Sequence, residues 1–595
     1  MSLKRSYLLI ALLIVLGIPV LAIMSCQAPP PTSAPEPLST APPPPIATSP
    51  PRPPATATAV PPTAVPTAVP TKEGSEGSPL AMFLTADFAG SGNCSLCHDY
   101  LFDESRNDVS IAKHWRSAMM ANAARDPYYL AKVSAEVQHN PLLKDVLEAT
   151  CARCHMPMAS EQAAVDGEPV AMFGTGFLNP TNDLHEAALD GVSCTLCHQI
   201  EDEALGTTES FSGNFVIDTS TDAPERKAHG PFDDPYEANM RALVQFIPLL
   251  GEQTLDGALC GSCHTLFTPV LDDAGNLVGE FPEQTPLLEW QHSAYPNLGT
   301  VCQSCHMPEA DGAVAISNRP NPPKIQLREP YVQHHFVGGN AFMISLLQAN
   351  VDELQLTCST ENLEDTAERV NTMLSEKSVA MAVTDARVAG DALSLTLRLT
   401  NMAGHKFPGG FPARRAWLHF EVTDGSGQVV FESGKPRVDG SIVGADADVD
   451  RTAYEKHHDV VSEPEQVQMY EPVMYSLEGD VTYTLLEAAS YIKDNRITPL
   501  GFDKRTAGEN FAVQGLAAVD EDFVGGSDDV TYQINTQGHS GPFNVTVELL
   551  YQSIAYPFIR DIQQYDTPSV AEFLGFYEQA DKLPVVVASL QQTLQ

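Results

Sequence analysis

Past residue 376 the chain settles into strict alternation of apolar and polar residues. In Ala392-Leu-Ser-Leu-Thr-Leu-Arg-Leu399 four leucines share one face, while Ser394, Thr396 and Arg398 share the other. Trp417–Val422 and Val545–Leu549 repeat the pattern, with Asp-Gly and Gly-rich turns between such runs. A period of two with turn residues at the breaks predicts antiparallel strands, half buried, in a sandwich-like domain over 377–595. A helical insertion is expected near 480–495. Ahead of the strands, 351–376 is polar and reads as a helical connector. In Trp417–Val422 the alternation puts His419 on the outer face, as a surface residue.

The N-terminus has a different texture. Lys4 and Arg5 precede an apolar stretch from Leu8 to Ile23, and no long apolar run recurs after residue 26. The stretch is short for a membrane span and contains Pro19. It closes with Ile23-Met24-Ser25-Cys26, which resembles the lipobox of a bacterial lipoprotein signal, with cleavage before Cys26 and lipid on that cysteine. An uncleaved anchor and a plain secretory signal are the alternatives, and all three export the chain. From residue 27 to about 80 the chain holds 18 of its 47 prolines, mixed with Ala, Thr and Ser. Proline fixes its own φ and biases its predecessor toward extended backbone, so 27–82 reads as a disordered, semi-rigid spacer. At about 3.1 Å per residue it would reach on the order of 150 Å.

Length and charge add bounds. A chain of 595 residues exceeds one hydrophobic core. Its formal charge of −42 repels nucleic acid and anionic lipid headgroups; it keeps an exported protein soluble and suits a basic protein partner.

The twelve cysteines carry the chemistry. Ten fall in five Cys-x-x-Cys-His units: Cys94, Cys97, His98; Cys151, Cys154, His155; Cys194, Cys197, His198; Cys260, Cys263, His264; and Cys302, Cys305, His306. Two thiols at this spacing reach both vinyl groups of one haem, and the next histidine meets the iron as proximal ligand. A single unit could be chance or half a zinc site; five, each with its histidine, indicate five covalent c-type haems. Cys26 belongs to the export signal, and Cys358 reads as an ordinary buried thiol. So many haems in so short a segment must supply much of its buried apolar surface and lie close together.

Each iron also needs a sixth ligand, and twelve histidines lie outside the motifs. A pattern His-x-Phe-x-Gly-Gly occurs twice, as His334-His335-Phe336-Val337-Gly338-Gly339 and as His405-Lys406-Phe407-Pro408-Gly409-Gly410. A histidine followed by an aromatic wedge and a flexible turn suits a loop laid against a flat ring. His334 and His405 are therefore candidate distal ligands, with His335 competing for the first place. His185, His139 and His229 are further candidates, each against the alternative of an ordinary core or surface histidine. Met119 offers a thioether, or simply packs. His457, His458 and His539 carry no supporting context.

These motifs also carry a resemblance. Trp115-Arg-Ser-Ala-Met119 and Trp290-Gln-His-Ser-Ala-Tyr295, the Asp190-Gly-Val-Ser-Cys194 unit, Cys302-Gln-Ser-Cys-His-Met-Pro308 and Gly404-His-Lys-Phe-Pro408 resemble multihaem c-type cytochromes of the cytochrome c-552/4 (c-554-like) group, over roughly residues 84–430. The resemblance implies an α-helical, loop-rich haem domain, mostly bis-histidine iron, and electron transfer. The family pattern Trp-x-x-Ser-x-His supplies a distal histidine; here Met119 and Tyr295 stand in that place. The pentahaem nitrite reductases use a Cys-x-x-Cys-Lys catalytic haem, whereas every motif here ends in histidine.

The expected architecture is α + β multidomain: a signal at 1–26, a spacer at 27–82, a mostly α-helical, loop-rich pentahaem domain at 83–350, a connector at 351–376 and a β-sandwich-like domain at 377–595. No cysteine follows Cys358, so the last domain binds no haem covalently; it caps one through His405, or serves for docking. The expected function is electron transfer by an extracytoplasmic, membrane-tethered cytochrome with redox protein partners. The alternatives are a haem oxidoreductase acting on a small nitrogen or sulfur compound, and a structural subunit of a larger complex.

Overall fold

A computed structural model describes residues 75–272, 276–319 and 327–595; Cys26, the signal and residues 27–74 of the spacer lie outside the described residues. The leucine alternation forms the Ala392–Asn401 strand, with Leu393, Leu395, Leu397 and Leu399 wholly buried. It lies between Val379–Ala389 and Ser527–Asn535, antiparallel to both, and the short Val460–Val461 strand adds to the sheet in parallel. In a second sheet Arg415–Thr423 pairs with Phe543–Gln552, which pairs in turn with Val585–Leu594. Val429–Ser433 and Met469–Tyr470 also pair with Arg415–Thr423. The inner faces meet where Phe420 stacks on Tyr532, ring centroids 3.7 Å apart. His419, on the other face, is half-buried between Glu432 and Glu548 rather than free on the surface.

The connector is the Thr360–Lys377 helix, started by a capping box between Ser359 and Asn362. Its buried residues Leu363, Thr366, Val370 and Leu374 recur at helical spacing on one face, which packs on the Ala341–Ala349 helix and on Val585–Leu594. The insertion near 480–495 is not helical. Ser490–Asp494 is a strand paired with Pro472–Tyr475. The Tyr491 hydroxyl donates to the carbonyls of Pro282 and Glu283, so tertiary contacts determine its conformation. Helices occur instead at Tyr556–Ile562 and Pro568–Gln579, the latter capped by the Thr567 side chain.

The motif-bearing segment is built of short helices and loops, and the described residues form one compact unit. One hydrophobic core runs from Tyr128 and Ala131 through Met343 and Leu374 to both sheets. The Pro127–His139 helix packs on Pro568–Gln579. Ser75 and Ser78 bond the backbone of Thr360 and Leu356. No helix among the described residues is long and apolar enough to cross a membrane.

Two buried ionic clusters tie the two textures together. Lys132 lies 2.9 Å from Glu136 and 3.5 Å from Asp561, and donates to the Tyr483 carbonyl. Arg496 bridges Glu289 at 3.0 Å and Asp494 at 2.8 Å, while Lys406 meets Asp494 at 2.6 Å and its backbone N–H donates to Glu289. Burial would raise the Asp494 carboxyl, but Arg496 and Lys406 hold it well below the ordinary carboxylate range. Removing one member of such a cluster strands the others without their counter-charge. Asp494→Ala should cost about 3–5 kcal/mol of stability, read by denaturant unfolding; a loss under about 1 kcal/mol would refute the cluster's structural role.

Candidate functional site

Four of the five motifs end a helix, at Ser91–His98, Lys144–His155, Gly257–His264 and Cys302–His306; His198 directly follows the fifth, Cys194–Cys197. Positions i, i+3 and i+4 share a helical face, so each motif presents both thiols and its imidazole on one side. All five motif histidines line a single cavity of about 1370 Å³, with every motif cysteine except Cys97. Among the described residues no cysteine is in a disulfide, and Cys358 is buried.

Backbone carbonyls orient four of these imidazoles. Nδ1 of His98 lies 2.8 Å from the Ile316 oxygen, that of His155 3.4 Å from Ala123 and that of His198 2.6 Å from His229; His306 bonds Val337 likewise. A carbonyl only accepts, so Nδ1 carries the proton and the Nε2 lone pair is left for a metal. Burial lowers the basicity of all five, with His155 and His264 at about 4, which keeps the rings in the neutral, ligating form. His155 is further held by Tyr129, whose ring stacks on it with centroids 3.7 Å apart.

Two more histidines face motif histidines across the cavity. The ring centroids of His198 and His334 lie 6.4 Å apart with planes 29° from parallel, and those of His306 and His405 lie 6.4 Å apart with planes 10° from parallel. Two imidazoles on opposite sides of one metal ion, each through a bond of about 2 Å, have centroids on the order of 6 Å apart. Thiol pairs, inward lone pairs and a broad cavity wall that includes many apolar side chains fit a covalently attached haem at each motif.

The two pairs share a construction. Trp115 donates its indole N–H to the Val192 carbonyl, and Trp290 to that of Thr300; each acceptor lies two residues before the first cysteine of its motif. The facing histidines, His334 and His405, come from the two Gly-Gly loops. At Gly409 a Cβ would stand 2.6 Å from the His405 ring, and at Gly339 2.5 Å from the Tyr551 hydroxyl, so both glycines are required by close approach. Val337, inside the first loop, accepts from His306 of the second unit and interlocks the two.

The other candidates are placed differently. His229 lines the cavity, buried, with neither ring nitrogen in a hydrogen bond although Nε2 lies 3.3 Å from Glu201. His185 is half-buried off the cavity wall, its Nδ1 on the Phe177 carbonyl. His139 is half-exposed and off the wall, with Glu487 at Nε2 and the Tyr565 hydroxyl at Nδ1. His335 packs edge-on against buried His114, centroids 4.4 Å apart, and is off the wall. Met119 and Tyr295 both line the cavity; the Tyr295 hydroxyl donates to the Met402 carbonyl.

Motifs distant in sequence meet. The Cys94 and Cys194 thiols adjoin, as do Cys154 and Cys263, and Cys260 and Cys302. Asp190 makes the first junction by accepting from the backbone N–H and hydroxyl of Ser91, at the start of the Ser91–His98 helix. Beside Cys151 the wall is polar: Lys132, Glu136, Glu283, Tyr128 and Thr268 all line it. The Tyr128 and Thr268 hydroxyls and one Glu136 oxygen are buried there without a hydrogen-bond partner. Tyr129 and this wall had no signal in the sequence, because ordinary residues acquire these roles only by convergence; Asp190 stood in a motif unit that gave no hint of its contact with Ser91.

No family model matches the sequence, and no curated protein matches it. Among solved structures, a penta-heme cytochrome c552 from Thermochromatium tepidum aligns with 14% identity over 81% of this chain and 95% of that one, at a TM-score of 0.43.

Burial, and to a lesser extent the nearby Glu136 charge, pushes Glu283 from 4.5 up to about 7, against the pull of Gln284 and Lys132. The folded state therefore holds this proton more tightly than the unfolded chain, and stability falls as pH rises from 4.5 through 7, by about 3 kcal/mol in all. Glu283→Gln should gain stability over the wild type between pH 5 and pH 8 in paired thermal melts. A difference that does not change with pH would contradict the assignment.

Proposed function

We propose that this chain is an exported multihaem c-type cytochrome that relays electrons through five covalently bound haems. The observation that carries the reading is that all five motif histidines line one cavity, two of them facing a second histidine at 6.4 Å. The cysteine pairs 94/97, 151/154, 194/197, 260/263 and 302/305 would attach the haems, with His98, His155, His198, His264 and His306 as proximal ligands. His334 would complete the site of His198, and His405 that of His306. Haem supplies a reversible one-electron change at iron.

The residues around it have separate tasks. Carbonyls of Ile316, Ala123, His229 and Val337 hold the Nδ1 protons and so fix ring orientation. The thiol contacts suggest an order: motif one beside three, and motif four beside both two and five. Cys197 lies close enough to Cys260 and Cys263 to affect their neighbourhood electrostatically, which brings three beside four. Contiguous sites that branch at motif four support a relay. The acidic surface suits basic redox partners and disfavours nucleic acid. Export, and a tether through lipidated Cys26, follow from the N-terminal reading.

Intact-mass measurement should find five haem additions. Electron paramagnetic resonance of the oxidised protein should be dominated by low-spin signals, and His334→Ala and His405→Ala should each convert one low-spin haem to high-spin. If neither changes the spectrum, the facing pairs are not ligand pairs. Gly409→Ala, which crowds the His405 ring, should perturb the same signal as His405→Ala; an unchanged spectrum would contradict that placement.

The polar wall beside Cys151 favours a second reading, in which the haem held by His155 reacts with a small nitrogen or sulfur compound. Lys132, Glu136 and Glu283 there would bind it or exchange protons. A high-spin signal that shifts with nitrite, hydroxylamine or sulfite, and is lost on His155 substitution, would select this reading over a pure relay.

A further inference from the structure

Far from any motif cysteine in sequence, three segments of the β-rich part bring acidic groups to one edge of the four-stranded sheet. They are His457–Asp459, just before the Val460–Val461 strand, the turn Asp520–Asp522, and Asp528 in Ser527–Asn535. Carboxylate oxygens of Asp459, Asp520 and Asp522 lie within 4.8 Å of one another; Asp520 also groups within 4.8 Å with Asp528 and His457. Among the described residues no Lys or Arg forms an ion pair with any of these four carboxylates. Lys504 donates instead to the carbonyls of Ala517 and Asp520, and Arg398 pairs with Asp529.

A second observation points to a ligand. Asp528 is completely buried, and its Oδ2 accepts from the Tyr470 hydroxyl at 2.6 Å. Its Oδ1 has no hydrogen-bond partner and points to the Asp520 side, 3.9 Å from His457 Nε2. That oxygen lacks the partner that buried polar atoms normally have, and a cation among these carboxylates would supply it.

The neighbouring histidine restricts what that partner is. His457 Nδ1 lies 3.0 Å from the amide nitrogens of both Gln468 and Asn495. Neither amide is free to flip: the Asn495 oxygen accepts from Glu471 N–H while its nitrogen donates to the Met469 carbonyl, and the Gln468 oxygen accepts from His458 N–H. Both therefore donate to Nδ1, which leaves the ring's proton on Nε2, donated to Asp520 at 2.9 Å. A transition metal on Nε2 would require the ring to lose its only N–H. Oxygen ligands are what remain, and they suit a hard cation.

We propose that Asp459, Asp520, Asp522 and Asp528 bind calcium, with His457 as a positioning residue that holds Asp520. The ion pins the 457–459 segment and the 520–522 turn to the sheet edge. Through Lys504 it also steadies the segment in which Leu500 accepts from Ala294, in the Trp290–Tyr295 stretch. The site stands independently of the haem reading.

The test uses the full-length, haem-loaded protein after chelator treatment. Millimolar calcium should raise the melting temperature by about 3 °C or more, and magnesium or zinc by much less. Titration calorimetry with calcium alone should give one site. Asp522→Asn, on the exposed rim, should keep the wild-type haem spectrum and lose the calcium response. His457→Gln should weaken calcium binding without abolishing it. No calcium response in the wild type, an undiminished response in Asp522→Asn, or zinc binding that depends on His457 would overturn the proposal.

Discussion

An imidazole whose Nδ1 proton is held by a backbone carbonyl has one orientation and one free lone pair, and four of the five motif histidines are held this way. The helix places the ring beside its two thiols, but the carbonyl comes from a distant piece of chain. Ile316, Ala123, His229 and Val337 must each be delivered to a particular spot. This requirement explains a segment of short helices and loops rather than long regular elements. Backbone that would otherwise pair in secondary structure is used to aim rings into a common cavity. Burial supplies the complementary condition, since it disfavours the charged imidazole that could not ligate.

The β-rich part belongs to that arrangement. It shares a hydrophobic core with the Pro127–His139 helix and supplies His405, whose neighbour Lys406 is locked with Asp494, Arg496 and Glu289. Desolvating so many charges is costly, and they are tolerated because each has an opposite partner at bonding distance. The consequence is a loop with little freedom beside a ring that stands 6.4 Å from His306. The same segment thus serves packing and candidate chemistry. Separating sandwich from motif segment would expose core on both.

A tryptophan, a Cys-x-x-Cys-His unit and a Gly-Gly loop occur in two sets, with the indole on the same carbonyl position and the facing rings at the same spacing. Few substitutions at 409 or 339 could preserve this, because a Cβ at either position meets neighbouring atoms at 2.5–2.6 Å. The two sets interlock through Val337, so the sites are mechanically linked.

Local chemistry made part of this legible in advance. The Cys-x-x-Cys-His spacing is a helical face wherever it folds, and leucine alternation is a half-buried strand whichever sheet receives it; both follow from backbone periodicity alone. The repeated Gly-Gly pattern singled out His334 and His405, which the fold brings opposite motif histidines; at Gly409 the glycine is the trace of a ring packed against backbone, and at Gly339 of the close approach of Tyr551. The sequence did not exclude His139 or His185, which lie off the cavity wall, nor anticipate a strand at Ser490–Asp494, where the Tyr491 hydroxyl bonds to residues some 200 positions earlier. The tertiary structure alone decided which cysteines adjoin, which carbonyl holds each ring, how Tyr129 and Asp190 take part, and where four aspartates converge. Those are contacts between distant segments, and nothing in the periodicity of either segment encodes its partner.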